Sequence, residues 1–190
     1  MIHLFREAAA LQTALDSRGL RFCFIGGIAV QHWGEPRTTR DIDLSVFTGF
    51  GGEAAVVDEL LVAYAGRVAD ARTFALTHRV LLLATPGGVE VDVALAALPF
   101  ESAMIDRAAM VELEPGVALR LCSAEDLFVL KAFADRPQDR ADLVGIARRR
   151  GRQLDWDAIL ERLEPLVRAK DQPEILDSVG VLRGEEGGSR

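Results

Sequence analysis

The segment Asp41-Ile42-Asp43-Leu44-Ser45-Val46-Phe47 constrains this chain most. Polar and apolar residues alternate at its start with a period of two, the pattern of a half-buried strand. Side chains two apart on a strand share a face, so Asp41 and Asp43 stand about 6.6 Å apart along one face while Ile42 and Leu44 enter the core. Aspartate is depleted in strands. A plainer alternative has Asp41 closing a turn after Arg40 and Asp43 on an exposed edge.

The run Val89 to Leu95 repeats the arrangement, with Glu90 and Asp92 facing one way and Val91 and Val93 the other. It follows an apolar run, Arg79 to Ala84, across the turn residues Pro86-Gly87-Gly88, which predicts a hairpin. If this strand neighbours the first, Asp92 joins Asp41 and Asp43. Three unneutralised carboxylates on one face repel one another and raise at least one pKa, a conflict that a bound cation removes. Oxygen donors with no nearby Cys or His cluster favour Mg²⁺ or Mn²⁺ over zinc, and Mg²⁺ takes much of its shell from water and phosphates. The expected ligand is a metal-nucleotide.

Upstream, the apolar run Arg21 to Ile25 ends in Gly26-Gly27, and a helix can begin at Ile28. Such a turn lets backbone amides approach a phosphate at the positive end of a helix. The alternative is a strand-to-helix turn that only needs positive φ. Ile28 and Ala29 exclude both the dinucleotide fingerprint and the P-loop.

Elsewhere, apolar spacing predicts a helix over residues 2–18 and another from Glu53 to about Ala65, and from Thr73 the sequence turns toward strand. A second, shorter hairpin is expected over Val111 to Leu121 around Pro115-Gly116. Ser123 with Asp126 then opens a helical half, Pro137 starts the next helix, Gly151 ends it, and Asp155 caps a last one that Pro165 should bend or shorten. The tail from Gly184 has almost nothing to bury and is expected to be mobile.

At 190 residues, 49% hydrophobic and 27% charged, the chain can build one core, with room for a small helical appendage. No apolar run is long enough for a membrane span and the first residues are polar, so a cytoplasmic protein without membrane contact is expected. Cys23 and Cys122 read as reduced, buried small hydrophobes. His3, His32 and His78 lack metal-ligand spacing, and Trp33 and Trp156 read as core. A net charge of −7 argues against duplex DNA as a partner. Residues 136–152, however, hold six arginines against two aspartates. Such a stripe either contacts RNA phosphates or is a solvated helix end favoured by the helix dipole.

Together, Gly26-Gly27, the Arg37-Thr38-Thr39 approach, Asp41-Ile42-Asp43 and Asp92 resemble the nucleotidyltransferase superfamily related to DNA polymerase beta, and more narrowly its small bacterial AbiEii and MenT toxin-like branch. The likeness covers roughly residues 20–95, and the segment from Glu125 through Lys131 and Asp139 to Asp142 extends it to about residue 165. It implies an α/β (α+β) fold: a small mixed β-sheet core flanked by helices over residues 1–121, a C-terminal helical cluster over 122–170, and a tail over 171–190. It also implies Mg²⁺-dependent (or Mn²⁺-dependent) transfer of NMP from an NTP to a hydroxyl of a tRNA or protein, by the toxin of a toxin-antitoxin pair with a cognate antitoxin. A small molecule such as an antibiotic is a further possible acceptor. In that scheme Asp41, Asp43 and Asp92 hold the metals, with Asp92 as proton acceptor. Gly26 and Gly27 place the phosphates, helped by Arg37, Thr38 and Thr39. Lys131 either reaches a phosphate or covers the core with its stem. Asp139 and Asp142 are expected to pair with Arg136 or Arg140. Gly27 stands where many members of the branch carry a serine, which supports a second reading, a noncatalytic nucleotide- or partner-binding module with the same fold.

Overall fold

The computed structural model describes residues 1–187 of the chain. The elements run α1 (Ile2–Ser17), β1 (Phe22–Phe24), α2 (Gly26–Trp33), β2 (Asp41–Phe47), α3 (Glu53–Ala63), β3 (Ala65–Gly66), α4 (Ala71–His78), β4 (Val80–Ala84), β5 (Glu90–Ala96), α5 (Pro99–Arg107), β6 (Ala109–Glu114), β7 (Val117–Leu121), α6 (Ala124–Ala134), α7 (Pro137–Arg150), α8 (Trp156–Lys170) and α9 (Glu174–Gly187). The described residues fall into two compact units: residues 1–28 with 38–122, and residues 29–37 with the chain from 123 on.

The first unit is built on a mixed sheet of order β3-β4-β5-β2-β1-β7-β6. β2 and β5 run parallel, as do β1 and β7, and the remaining pairs are antiparallel. Its core lies on one face. There Leu4, Phe5, Ala8, Leu11 and Leu15 of α1 join Ile42, Leu44, Leu81, Leu83, Val91 and Val93 of the central strands. The alternation read from β2 and β5 holds, since every second residue of these strands is buried and the carboxylates take the other face. Cys23 and Cys122 are fully buried and form no disulfide.

Three local expectations are corrected and one helix is added. Residues 73–78 are helical: Asp70 accepts the Thr73 N–H at 3.0 Å, and this N-cap outweighs the strand-like composition that follows. The strand starts only after Arg79, which takes a left-handed φ of 57° as the helix stops. Helix α5 has no counterpart in the sequence reading. Pro99 opens it, and Glu101 accepts the Ala97 and Leu98 N–H groups at 2.8 Å each. Pro165 neither ends nor shortens α8, which continues to Lys170 because Ile159, Leu163 and Val167 bury one stripe. Finally, residues 174–187, expected to be tail, form α9, with Ile175 and Val179 buried at helical spacing. Of the segment expected to be mobile, residues 188–190 lie outside the described residues.

The second unit is helical. Ser123 caps α6 by accepting the Asp126 N–H at 3.1 Å, and Asp155 caps α8 by accepting the Ala158 N–H at 3.0 Å. Trp33 and Trp156 are half-buried and not core; the Trp156 indole donates to Gly151 O at 2.9 Å. No helix among the described residues is long and apolar enough to cross a membrane.

Candidate active site

Parallel pairing of β2 with β5 sets Asp41 opposite Glu90 and Asp43 opposite Asp92. Partners in register share a face, so four carboxylates from two strands stand on the side away from the core. Asp92 is on the same face as the Asp41 and Asp43 pair.

The glycine turn is shaped around these acids. Gly26 has φ 54°, and a Cβ there would overlap the Asp43 carboxylate. That carboxylate accepts the Gly27 N–H at 3.2 Å, at the N-terminus of α2. A Cβ at Gly27 would overlap the Thr39 hydroxyl. Thr39 in turn donates to Asp41 Oδ1 at 2.9 Å. Both glycines are therefore required by close approach of strand residues, and the Thr39 hydroxyl fills the space where a serine at position 27 would start. Thr38 is exposed beside them.

Two residues at this edge were not among the candidates. Arg67 bonds Glu90 Oε2 through Nη1 at 2.7 Å and Asp92 Oδ1 through Nη2. Nothing local in the sequence marks Arg67, which follows a strand of two residues. The outward position of Glu90 is legible in the alternation, but its pairing is not. Burial pushes the Asp92 carboxyl above its ordinary range; Arg67 opposes this, and the neighbouring charges of Asp41 and Glu90 add to it.

The expectation that the three aspartates already converge on a metal is not met. No group of three His, Cys, Asp or Glu side chains is gathered closely enough to hold one among the described residues. The backbone aligns the acids, while their carboxylates are engaged separately by Gly27, Thr39 and Arg67. The donor set nevertheless fits a hard divalent ion. It consists of carboxylate oxygens on one face, where burial, with the like charges of Asp41 and Glu90 adding to it, disfavours the ionised form of Asp92.

Arg37 and Lys131 are placed differently, in the helical unit. Lys131 is buried, with its ammonium 2.8 Å from Asp139 Oδ1 and 2.9 Å from Asp142 Oδ2. Arg37 grips Asp142 with two bonds, Nε at 2.7 Å and Nη2 at 3.0 Å. Asp139 pairs with Arg136 as expected, at 2.6 Å, but Arg140 pairs with Asp135. Burial alone would raise Asp139 and Asp142. Hydrogen bonds from Arg136 and Lys131 to the first, and from Arg37 and Lys131 to the second, overcome it and hold both carboxyls below the usual range. The arginine stripe is partly spent inside this unit as well. Arg149 donates to Gly34 O at 2.6 Å, Arg150 lies over the Trp33 ring, and Arg148 is 3.7 Å from Glu35.

Residues 4–177 match the model of a protein family described as "Nucleotidyl transferase of unknown function (DUF2204)". No curated protein sequence matches the chain. Among solved structures, an antigenic nucleotidyltransferase-like protein from Paracoccidioides brasiliensis shares the fold at a TM-score of 0.50 and 19% identity, over 93% of this chain and 92% of its own. The antibiotic-resistance factor ANT(2'')-Ia aligns at a TM-score of 0.48 and 18% identity, over 93% of this chain and 95% of its own. These matches do not distinguish the AbiEii and MenT toxin-like branch. The family match spans both the sheet unit with its aspartates and glycine turn and most of the helical unit, so the chain belongs to this nucleotidyl transferase family and is an enzyme of that class.

Proposed function

We propose that the protein transfers NMP from an NTP to a hydroxyl of a macromolecular acceptor, a tRNA or a protein, with Mg²⁺ or Mn²⁺ held by Asp41, Asp43 and Asp92. The observation that carries this reading is the register of β2 and β5, which aligns Asp43 with Asp92 beside the Gly26-Gly27 turn. The metal, when bound, neutralises the triphosphate and lowers the pKa of the acceptor hydroxyl. The residues of the chain do the rest. The α2 N-terminus offers backbone donors to phosphate oxygens, and Gly26 and Gly27 leave room for that approach. Thr39 supplies a hydroxyl beside the position a serine side chain would take, which supports a working site with Gly27. Asp92, on the same face as the Asp41 and Asp43 pair, is the group assigned to accept the acceptor's proton. Arg37, Thr38 and Lys131 belong to this reading as further phosphate contacts. For Arg37 and Lys131, that role requires giving up part of their bonding to Asp142 and Asp139.

The preference for tRNA or protein, the role of toxin beside a cognate antitoxin, and a cytoplasmic location rest on the resemblance to the toxin-like branch. Incubation with labelled NTPs and Mg²⁺, with total tRNA in one arm, cell lysate in another and aminoglycosides in a third, tests the acceptor class. Label entering RNA or protein supports the proposal. Label confined to the small molecules overturns the acceptor class, and label in none of the three under any NTP favours the noncatalytic module.

A further inference from the structure

Strand register places four residues in one row across the sheet. Arg67, directly after β3, donates its backbone N–H to Leu82 O at 3.0 Å. Leu82 is the register partner of Asp92, and Asp92 that of Asp43. Leu81 and Leu83 are buried in the core while Leu82 is only half-buried, so this row lies on the carboxylate face. To reach Asp92, the Arg67 side chain must span β4, two strand spacings or about 10 Å of sheet. Its head then meets both outward carboxylates of β5, Glu90 and Asp92.

This placement is costly for the guanidinium. Arg67 Nε is buried and makes no hydrogen bond, and a buried unpaired donor is unfavourable. The side chain is nonetheless only 23% exposed, held by the two acids. The charge-assisted hydrogen bonds of its two terminal nitrogens, at the expense of Nε, fix it there. Arg67 thus brings a positive charge to the carboxylate that the proposed function assigns to a metal.

We propose that Arg67 is an internal competitor of the divalent cation, so that metal binding at Asp92 displaces the guanidinium or is weakened by it. The inference rests on the reading of Asp92 as a metal ligand. A guanidinium and a divalent ion both seek the same carboxylate oxygens, and where both stay they repel each other at short range. Arg67 thereby limits the affinity of the bare edge for metal and keeps its acids partly neutralised until a cation takes over. It acts through Asp92 and is a positioning residue.

The test is a titration of the full chain with Mn²⁺ alone, followed by the electron paramagnetic resonance signal of free Mn²⁺, for the wild type, Arg67→Gln, Arg67→Lys and Asp92→Asn. Removing a unit charge beside a ligand is expected to tighten Mn²⁺ binding by about tenfold in Arg67→Gln. Arg67→Lys, which keeps the charge, is expected to stay near the wild type, and Asp92→Asn to lose most of the binding. Unchanged or weaker binding in Arg67→Gln, with binding still lost in Asp92→Asn, overturns the competition and leaves the metal edge standing. Wild-type binding in Asp92→Asn removes the metal edge and the competition together. Should Arg67→Gln fail to fold, the unaltered protein gives the answer once the Mn²⁺ titration has shown that it binds metal: the ¹⁵Nε resonance of Arg67 moves on addition of Mg²⁺, whether the guanidinium is displaced or only repelled, and an unmoved resonance overturns the proposal.

Discussion

Asp43 and Asp92 are register partners on adjacent parallel strands, so backbone pairing and not side-chain choice brings them to the same level of one face. An alignment fixed in this way persists when either side chain is replaced by its amide. Asp43→Asn keeps an oxygen for the Gly27 N–H, and Asp92→Asn removes one of the like charges on β5. Each is expected to cost at most about 1 kcal/mol of stability, the scale of exposed and half-exposed ion pairs. Nucleotidyl transfer should fall by about a thousandfold or more, since electrostatic stabilisation of a phosphoryl transition state is lost. Urea unfolding beside a labelled-NTP assay checks both halves; full activity in either variant would remove the catalytic assignment.

The glycine turn predicts two steric couplings. Gly26→Ala adds a Cβ against the Asp43 carboxylate at a positive φ, and is expected to destabilise by about 1–3 kcal/mol. Asp43→Ala in the same chain removes the carboxylate but keeps the Asp43 Cβ, 2.6 Å from the added one, and leaves the backbone strain, so recovery should be partial. Gly27→Ser meets the Thr39 hydroxyl, and Thr39→Ala should relieve it more fully than in the first pair, because the Cβ that remains is 2.9 Å away, which a small shift absorbs, and Gly27 has no positive φ. Equal costs for Gly27→Ser with and without Thr39 would contradict the space-filling role of that hydroxyl.

The parts of this protein written in short-range pattern were legible, and those written across the sheet were not. Asp41, Asp43 and Asp92 stand out because a two-residue period fixes their face before any pairing is known. The Gly26-Gly27 turn stands out for composition alone, yet its cause, the approach of Asp43 and Thr39, needs tertiary structure. Asp70 offered a capping signal for α4 that local strand propensity concealed, and Pro99 with Glu101 offered one for α5. Arg67 carried no signal, since its partners Glu90 and Asp92 lie beyond an intervening strand. Lys131 showed the converse difficulty: helical spacing put it near the apolar stripe but could not say that Asp139 and Asp142 enclose its charge.

Pro165 sits inside α8 without ending it. Proline there removes one main-chain bond and crowds the preceding turn, a cost that the buried stripe of Ile159, Leu163 and Val167 offsets. Pro165→Ala is therefore expected to stabilise the protein, by about 1–3 kcal/mol, because interior proline is the least favourable helix residue. Thermal unfolding followed by circular dichroism gives the measurement. A lower melting temperature would mean that the proline is adapted to a local geometry that alanine does not reproduce.

Lys131 separates a structural role from a nucleotide-binding one. Its ammonium lies between Asp139 and Asp142, both nearly fully buried. Replacing it by Met leaves two buried carboxylates short of a partner, and removing one member of a buried ion pair costs about 3–5 kcal/mol. The pH dependence follows from the depressed folded values of both acids. In the wild type their contribution is present above the ordinary carboxylate range and is lost as pH falls through those depressed values, because the unfolded chain binds the protons first. In Lys131→Met the folded carboxyls lose their cation and move upward, so acidification protonates them in the folded state and relieves the strain. The stability gap between the two proteins should then be widest near neutral pH and narrow on acidification, in urea melts across that range. If the ammonium instead serves the triphosphate and the pairing is incidental, Lys131→Met will leave stability and its pH dependence near the wild type while raising KM for the NTP.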